Sequence, residues 1–364
     1  MLKARLSRMR MAGLASAVPS QSLSYLETAR LGNVTDEEAT KIAGSVGVQR
    51  RHVAPPSLCA SDLCCAAAEK LLAELGWERS SVEALIFVTQ TPDYLIPANS
   101  ACLHQRLRLS KTCAAFDVTL GCSGYIYGLW MAHNLVAAGS AKRVLLLVGE
   151  TASWMTSPHD RACMFLFGDA GAATALEFDD GAPEVTYVLA TDGTGSPYMG
   201  IPGGYRNRIS EESLRRKPCA DGVVRNDLDS RMDGAQVFAF TLREVPGTIK
   251  TILEASGWTL ETMDAFVPHQ ANAFMLQHLA KQMKVPPQKV VLALDQFGNT
   301  GSASVPLSVT HVLAKRLRAG SMKLVLSGFG VGWSWGAAAI QLGPMVAPDL
   351  LLVETELQRT AEGA

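Results

Sequence analysis

Neither sign of charge predominates in this chain: 33 Lys and Arg stand against 34 Asp and Glu in 364 residues, a formal net charge of −1. A phosphate backbone demands a basic face, and interspersed charges supply none, so no nucleic-acid partner is expected. Paired-cysteine signatures are missing too. The eight cysteines, at 59, 64, 65, 102, 113, 122, 163 and 219, form no CxxC pair and no Cys/His metal spacing. That pattern argues against a disulfide framework or a zinc site, and for reduced thiols in a cytoplasmic protein. Low-complexity and collagen-like stretches are absent, and the length allows a large core in one or two domains. A membrane span is also lacking. The uncharged stretch from Leu324 to Pro348 is long enough to cross a bilayer, but Gly328, Gly330, Gly332 and Gly336 divide it into two apolar runs of strand length around a turn. The opening MLKARLSRMRMAGLASAVPS is basic and then apolar like a signal peptide, yet its apolar run is short and dilute. A first buried strand is the expected reading.

What the chain does have is an internal repeat. LLAELGWERSSVEALIFVTQT, from Leu71, matches ILEASGWTLETMDAFVPHQAN, from Ile252, at an offset of about 181 positions. In both copies a helix ends in Gly-Trp and an apolar strand follows. AAGSAKRVLLLVGE and RAGSMKLVLSGFG repeat a helix end with a glycine stop before a strand, and FGDAGAATALEF mirrors GWSWGAAAIQL. Helical segments such as Ala60 to Leu75 and Tyr125 to Ala138 alternate with runs that are hydrophobic throughout. Such runs fit strands covered on both faces, which predicts largely parallel sheets between helix layers. Two duplicated α/β halves, 1–181 and 182–346, with a tail over 347–364, then pack as a five-layered α-β-α-β-α body. Its ligand site should lie at strand carboxyl ends, where the halves meet. Between the copies, Pro197 to Met232 is rich in Gly, Arg, Glu and Ser. A solvated insertion loop is the preferred reading over a substrate lid.

Three strand-turn-helix junctions offer chemistry. In CAAFDVTLGCSGYIYGLWMAHNL, Cys122 falls where a strand gives way to a helix, so free amides and the helix dipole should favour its nucleophilic thiolate. An inert buried cysteine is the alternative. His269 follows the strand DAFVP in the other copy. Asn299 lies in LDQFGNTGSASVPLSV, where a cap or turn role is the plain alternative. Cys, His and Asn at three such junctions reinforce one another. The glycines of GFGVGWSWG alternate instead of following GxGxxG, so this segment reads as a tight loop whose N–H groups can serve an oxyanion. No Walker loop or Ser/His/Asp order is evident.

Together, LGCSGYIYGL, PHQAN, FGNTGSASVPLSV and GFGVGWSWGAA closely resemble the β-ketoacyl-acyl-carrier-protein synthase III family of thiolase-fold condensing enzymes. The resemblance runs from GVQRRHVA near Gly47 to Leu342. It implies that Cys122 takes an acyl group from a thioester of coenzyme A or of a carrier protein, its carbonyl oxygen held by the amides of Cys122 and Val331. It further implies that His269 and Asn299 stabilise the enolate left when a malonyl thioester, on carrier protein or coenzyme A, loses CO2. No cofactor or metal beyond those thioesters is implied. Phe167, Gly168 and Asp169 match a structural motif. By the same resemblance Arg161 lies at the tunnel mouth, Gly234, Phe238, Ala271 and Asn272 line a pantetheine channel, and Ser304 is a further substrate-binding residue. Ile96 would border the acyl pocket across a homodimer interface.

The chain departs from the family where members that prefer acetyl-CoA carry a Trp and an Arg to grip adenine; here 36–46 reads DEEATKIAGSV. Phe274 and Ala239 stand where an arginine and a lysine usually attract an acidic carrier protein, although Lys281 and Lys284 remain nearby. The expected activity is synthesis of a 3-oxoacyl thioester for fatty acid, polyketide or surface-glycan chains. Two alternatives are an acyltransferase passing the Cys-bound acyl group to an alcohol or amine, and an inactive scaffold partner of another condensing subunit.

Overall fold

The computed structural model describes residues 1–354. Two mixed sheets form its frame. Their strands are β1 (Leu2–Leu6), β2 (Met9–Pro19), β3 (Ala84–Val88), β4 (Ala114–Val118), β5 (Arg143–Thr151), β6 (Asp169–Phe178), β7 (Val185–Thr191), β8 (Ala265–Pro268), β9 (Met322–Gly330), β10 (Ser334–Leu342) and β11 (Leu351–Val353). The first sheet runs β11-β2-β6-β5-β3-β4 and the second β1-β7-β10-β9-β8.

Alternation along single strands shows how the layers form. Leu146 and Val148 of β5 face a central cluster with Ile126, Leu129, Leu324 and Leu326, while Leu145 and Leu147 face an outer cluster with Leu63 and Leu71. Each leucine so buried contributes about 1.5–3 kcal/mol. The outer layer is α1 (Ala60–Leu75), packed on β2, β5 and β6. The central layer holds α2 (Gly124–Ala137), which touches strands of both sheets, together with the helical run that starts at Ser304. On the far side, Val325, Ala337 and Ala339 meet Phe240, Val245 and Ile249 of α3 (Gly234–Ser256), beside α4 (Ala273–Gln282). The result is the expected thiolase-like five-layered α-β-α-β-α body. Its repeat is visible in the caps: Gly76 ends α1 at φ +62° and Gly257 ends α3 at φ +70°, each in the left-handed region that glycine adopts without strain.

Several expectations need correction. The sheets are not largely parallel: β2–β6, β5–β6, β9–β10, β7–β10 and β1–β7 pair antiparallel, and β3–β4, β3–β5, β8–β9 and β2–β11 pair parallel. An all-apolar strand reports that both faces are covered, and helix layers cover antiparallel pairs equally well. The opening segment does hold a buried strand, but a more exposed one precedes it. β1 is a half-exposed edge of the second sheet, the chain turns at Arg8 (φ +68°), and β2 is buried in the first sheet. Within the expected tail, β11 pairs with β2, and residues 355–364 lie outside the described residues. The uncharged stretch from Leu324 is the β9–β10 hairpin, and no helix among the described residues is long and apolar enough to cross a membrane.

The segment 197–232 is also more than a solvated loop. Met199–Gly200 pairs with Arg231–Met232, and Lys217–Pro218 with Val224–Arg225. Arg225, 4% exposed, forms an ion pair with the buried Asp160, which fastens the insertion to the loop that also carries Arg161.

Candidate active site

Cys122, His269 and Asn299 line one pocket at the meeting of the two halves, with Gly234, Ala271, Asn272, Phe167 and Phe329 among its other walls. Each arrives by a local rule. β4 ends at Val118, and Cys122 stands in the turn just before Ser123, the residue that precedes α2. His269 directly follows β8, its backbone N–H donating to Ser327 O of the neighbouring β9 at 2.7 Å. Asn299 is clamped by main chain: its N–H donates to Leu166 O at 2.8 Å, and its own carbonyl accepts from Gly168 N–H at 3.1 Å. Its side-chain oxygen accepts from Gly301 N–H at 3.0 Å, and Nδ2 donates to Ala271 O at 3.4 Å. One Nδ2 proton therefore remains for a ligand in the pocket.

The strand β9 comes so close to the cysteine that only glycine fits. A Cβ on Gly330 would stand 2.7 Å from Cys122 Cβ and 2.8 Å from its sulfur. Beyond Gly330 the turn at Val331 brings a backbone N–H toward the sulfur, which the amide of Cys122 itself also serves. Two N–H groups at one sulfur form a cradle for developing negative charge on an attached carbonyl.

Electrostatics run against one expectation. Burial pushes the Cys122 thiol up to about 12, the Glu150 carboxylate adds to the rise, and the amides of Cys122 and Val331 oppose it without prevailing. The helix N-terminus thus does not leave a resting thiolate, because desolvating a charge outweighs a dipole worth only about 0.3–1 kcal/mol at a surface site. His269, 2% exposed, is pulled down to about 4 by burial, with the Gly301 carbonyl opposing, so its ring is neutral at physiological pH.

The remaining predicted residues divide. Phe238 is at the rim, its ring 5.4 Å from that of the half-exposed Phe274, and Val237 and Thr241 of the same helix line the pocket instead. Ser304 does not line it either; its hydroxyl lies 2.8 Å from Nδ1 of His269. Arg161 is largely exposed, paired with Glu38, and does not line the pocket. Ile96 is 81% exposed, next to exposed Tyr94 and Leu95. Met199 and Met232 come from the insertion and Met275 from α4 to complete the walls; composition gave no reason to select them. Glu150, 2% exposed at the end of β5, was also unforeseen, although a lone acid closing the apolar run VLLLVGE is a legible signal.

A cysteine in a two-amide cradle, sharing a pocket with a neutral histidine and an asparagine inside a thiolase-like body, fits the class of condensing acyltransferases. Known proteins agree. Models of the C-terminal part of 3-oxoacyl-[acyl-carrier-protein (ACP)] synthase III and of 3-oxoacyl-[acyl-carrier-protein (ACP)] synthase III match residues 253–342 and 116–193. The β-ketoacyl-[acyl-carrier-protein] synthase III of Symbiobacterium thermophilum is 34% identical over 91% of this chain and 97% of its own length. The crystal structure of a 3-oxoacyl-(acyl-carrier protein) synthase from Burkholderia xenovorans superposes with a TM-score of 0.90 at 39% identity, covering 97% of this chain and 99% of that one. The priming β-ketosynthase of a polyketide biosynthetic pathway superposes at 0.80 with 26% identity, covering 93% and 97%. The chain belongs to the 3-oxoacyl-[acyl-carrier-protein] synthase III family, and it is an enzyme, a condensing acyltransferase.

Proposed function

We propose that this enzyme makes a 3-oxoacyl thioester in two steps. First, the Cys122 sulfur attacks the carbonyl of an acyl thioester of coenzyme A or of a carrier protein. The amides of Cys122 and Val331 hold the oxyanion, and the free thiol leaves with the proton that the cysteine gives up. Second, a malonyl thioester binds with its thioester carbonyl toward His269 and Asn299. Breaking its carbon–carboxylate bond releases CO2 and places an enolate charge on that carbonyl oxygen. The enolate carbon attacks the acyl-enzyme carbonyl, the carbon–sulfur bond to Cys122 breaks, and the sulfur takes up a proton from water.

The observation that carries this reading is the convergence of Cys122, His269 and Asn299 on one pocket. Donor roles for the latter two fit their protonation. Ser304 Oγ lies 2.8 Å from His269 Nδ1, and the tautomer in which this hydroxyl donates to Nδ1 puts the ring proton on Nε2, as the donor role requires. Carrier proteins stand in the relatives' names, which supports a carrier-bound malonyl group. The exposed Tyr94, Leu95 and Ile96 suit a homodimer interface, and eight free thiols suit a cytoplasmic setting.

Intact mass after incubation with acyl thioesters, followed by malonyl thioester, tests the proposal. Cys122→Ala should gain no acyl mass. His269→Ala and Asn299→Ala should load normally yet lose condensation by about a hundredfold or more, as when one oxyanion donor is removed. Normal condensation by the His269 variant, or acylation of an added alcohol or amine in place of CO2 release, would overturn it.

A further inference from the structure

Behind the pocket lies a buried carboxyl that the two steps above do not use. Glu150 accepts from the Gln90 amide at 3.2 and 3.1 Å, from Thr91 Oγ1 at 3.1 Å, from Thr89 Oγ1 at 3.4 Å and from Ser302 Oγ at 3.2 Å. These donors come from two places. Thr89, Gln90 and Thr91 follow β3, and the Gln90 side chain lies where a Cβ on Gly121, the neighbour of Cys122, would be, 2.2 Å from that point. Ser302 belongs to the turn that follows Asn299, where Gly301 passes so near that a Cβ would meet Glu150 Cγ at 2.6 Å. Glu150 therefore ties the cysteine side of the site to the asparagine side.

We propose that Glu150 is a positioning residue of this site and also tunes the reactivity of its nucleophile, its negative charge adding to what burial already does to keep Cys122 a thiol while its hydrogen bonds fix the turn that carries Asn299. The second half rests on the condensing role given to Asn299 above; the first half does not. All the partners are donors, so the network as built suits a carboxylate and not an acid. Burial nonetheless raises this carboxyl to about 7, the amide and hydroxyl donors opposing, so it changes charge near neutrality. The titratable groups sharing its surroundings are Cys122, Cys64 of α1, and Asp93 beyond Cys64, with His269 in the pocket. Cys64 lies far above neutrality through burial, and His269 is neutral there. Glu150 is thus the group near Cys122 whose charge changes at working pH.

The test is the pH dependence of Cys122 alkylation by iodoacetamide, with the modified peptide identified by mass. A like charge close by shifts a thiol by about one unit or more. Glu150→Gln should therefore move the alkylation midpoint down and speed the reaction at pH 7 about tenfold, while condensation falls about tenfold. Glu150→Asp keeps the charge and should keep the midpoint near that of the unmodified enzyme, although condensation still falls. A merely structural glutamate would lower condensation in both variants and leave both midpoints unmoved, which would overturn the proposal. In the unmodified protein the same coupling makes the logarithm of the alkylation rate rise by less than one unit per pH unit across neutrality. A full slope there overturns the idea even if neither variant folds. Because alkylation needs no substrate, its outcome is separable from whether the enzyme condenses malonyl thioesters.

Discussion

Ser304 stands behind His269, its hydroxyl 2.8 Å from Nδ1 and itself 1% exposed. Removing that oxygen leaves a buried ring nitrogen without its partner and frees the ring to turn. Ser304→Ala should load acyl groups at the normal rate and condense about tenfold more slowly, the scale of one lost hydrogen bond. Single-turnover kinetics that separate loading from CO2 release check this.

The approach of Gly330 to Cys122 sets a second expectation. Gly330→Ala would drive a methyl group against the sulfur. A displacement of about 1 Å at a reacting atom costs on the order of a hundredfold, so acyl-enzyme formation should fall by that factor. Rapid-quench mass spectrometry reads it directly, with the far-ultraviolet spectrum showing that the fold is kept.

His269 sits at about 4 because of burial, below its ordinary value of 6.5. A donor that is already neutral loses nothing as the pH falls from 7 to 5, so condensation should show no acid limb near 6.5 attributable to this ring. For stability the sign follows from proton counts: between about 4 and 6.5 the unfolded chain binds more protons at this position, so its contribution is full above 6.5 and is lost as the pH falls toward 4. Rate profiles and denaturant midpoints in overlapping buffers test the two statements separately.

Phe274, between the pocket-lining Asn272 and Met275, is half exposed with its ring tilted against those of Phe238 and His278, and Ala239 is exposed beside Phe238. An apolar rim in place of two cations weakens attraction to an acidic carrier by up to about 1 kcal/mol per lost charge, mostly through association rate. We expect poor turnover with a generic fatty-acid carrier, and a lower apparent KM for its malonyl form in Phe274→Arg with Ala239→Lys, most clearly at low salt. Turnover of that carrier by the unmodified enzyme as fast as by the double variant, at low and at moderate salt, would show that docking is unaltered.

Much of this was legible in the residues. The helix expected over 60–75 is present with those bounds, and the repeat placed β3 and β8 at corresponding positions. Cys122, His269 and Asn299 share a pocket because strand-to-helix turns in duplicated halves converge there. Strand direction was hidden because apolar content measures coverage and not pairing. The amides that favour a Cys122 thiolate were legible as a helix end, whereas the burial that opposes them is not visible in a sequence. Val237 in place of Phe238 is a difference of one helical position, about 100° around α3, which a motif match does not fix.

The exchange of terminal strands bears on how the molecule is made. β1 completes the sheet of the second half and β11 adds to that of the first, so a cut near residue 181 would give two fragments, each holding a strand that belongs to the other. During synthesis the first sheet waits for residues 351–353 to emerge before its edge beside β2 is covered. Until then that edge is open to pairing with another chain, the hazard that unpaired strands carry. Separately expressed halves should accordingly associate more weakly when these strands are removed than when each half keeps its own.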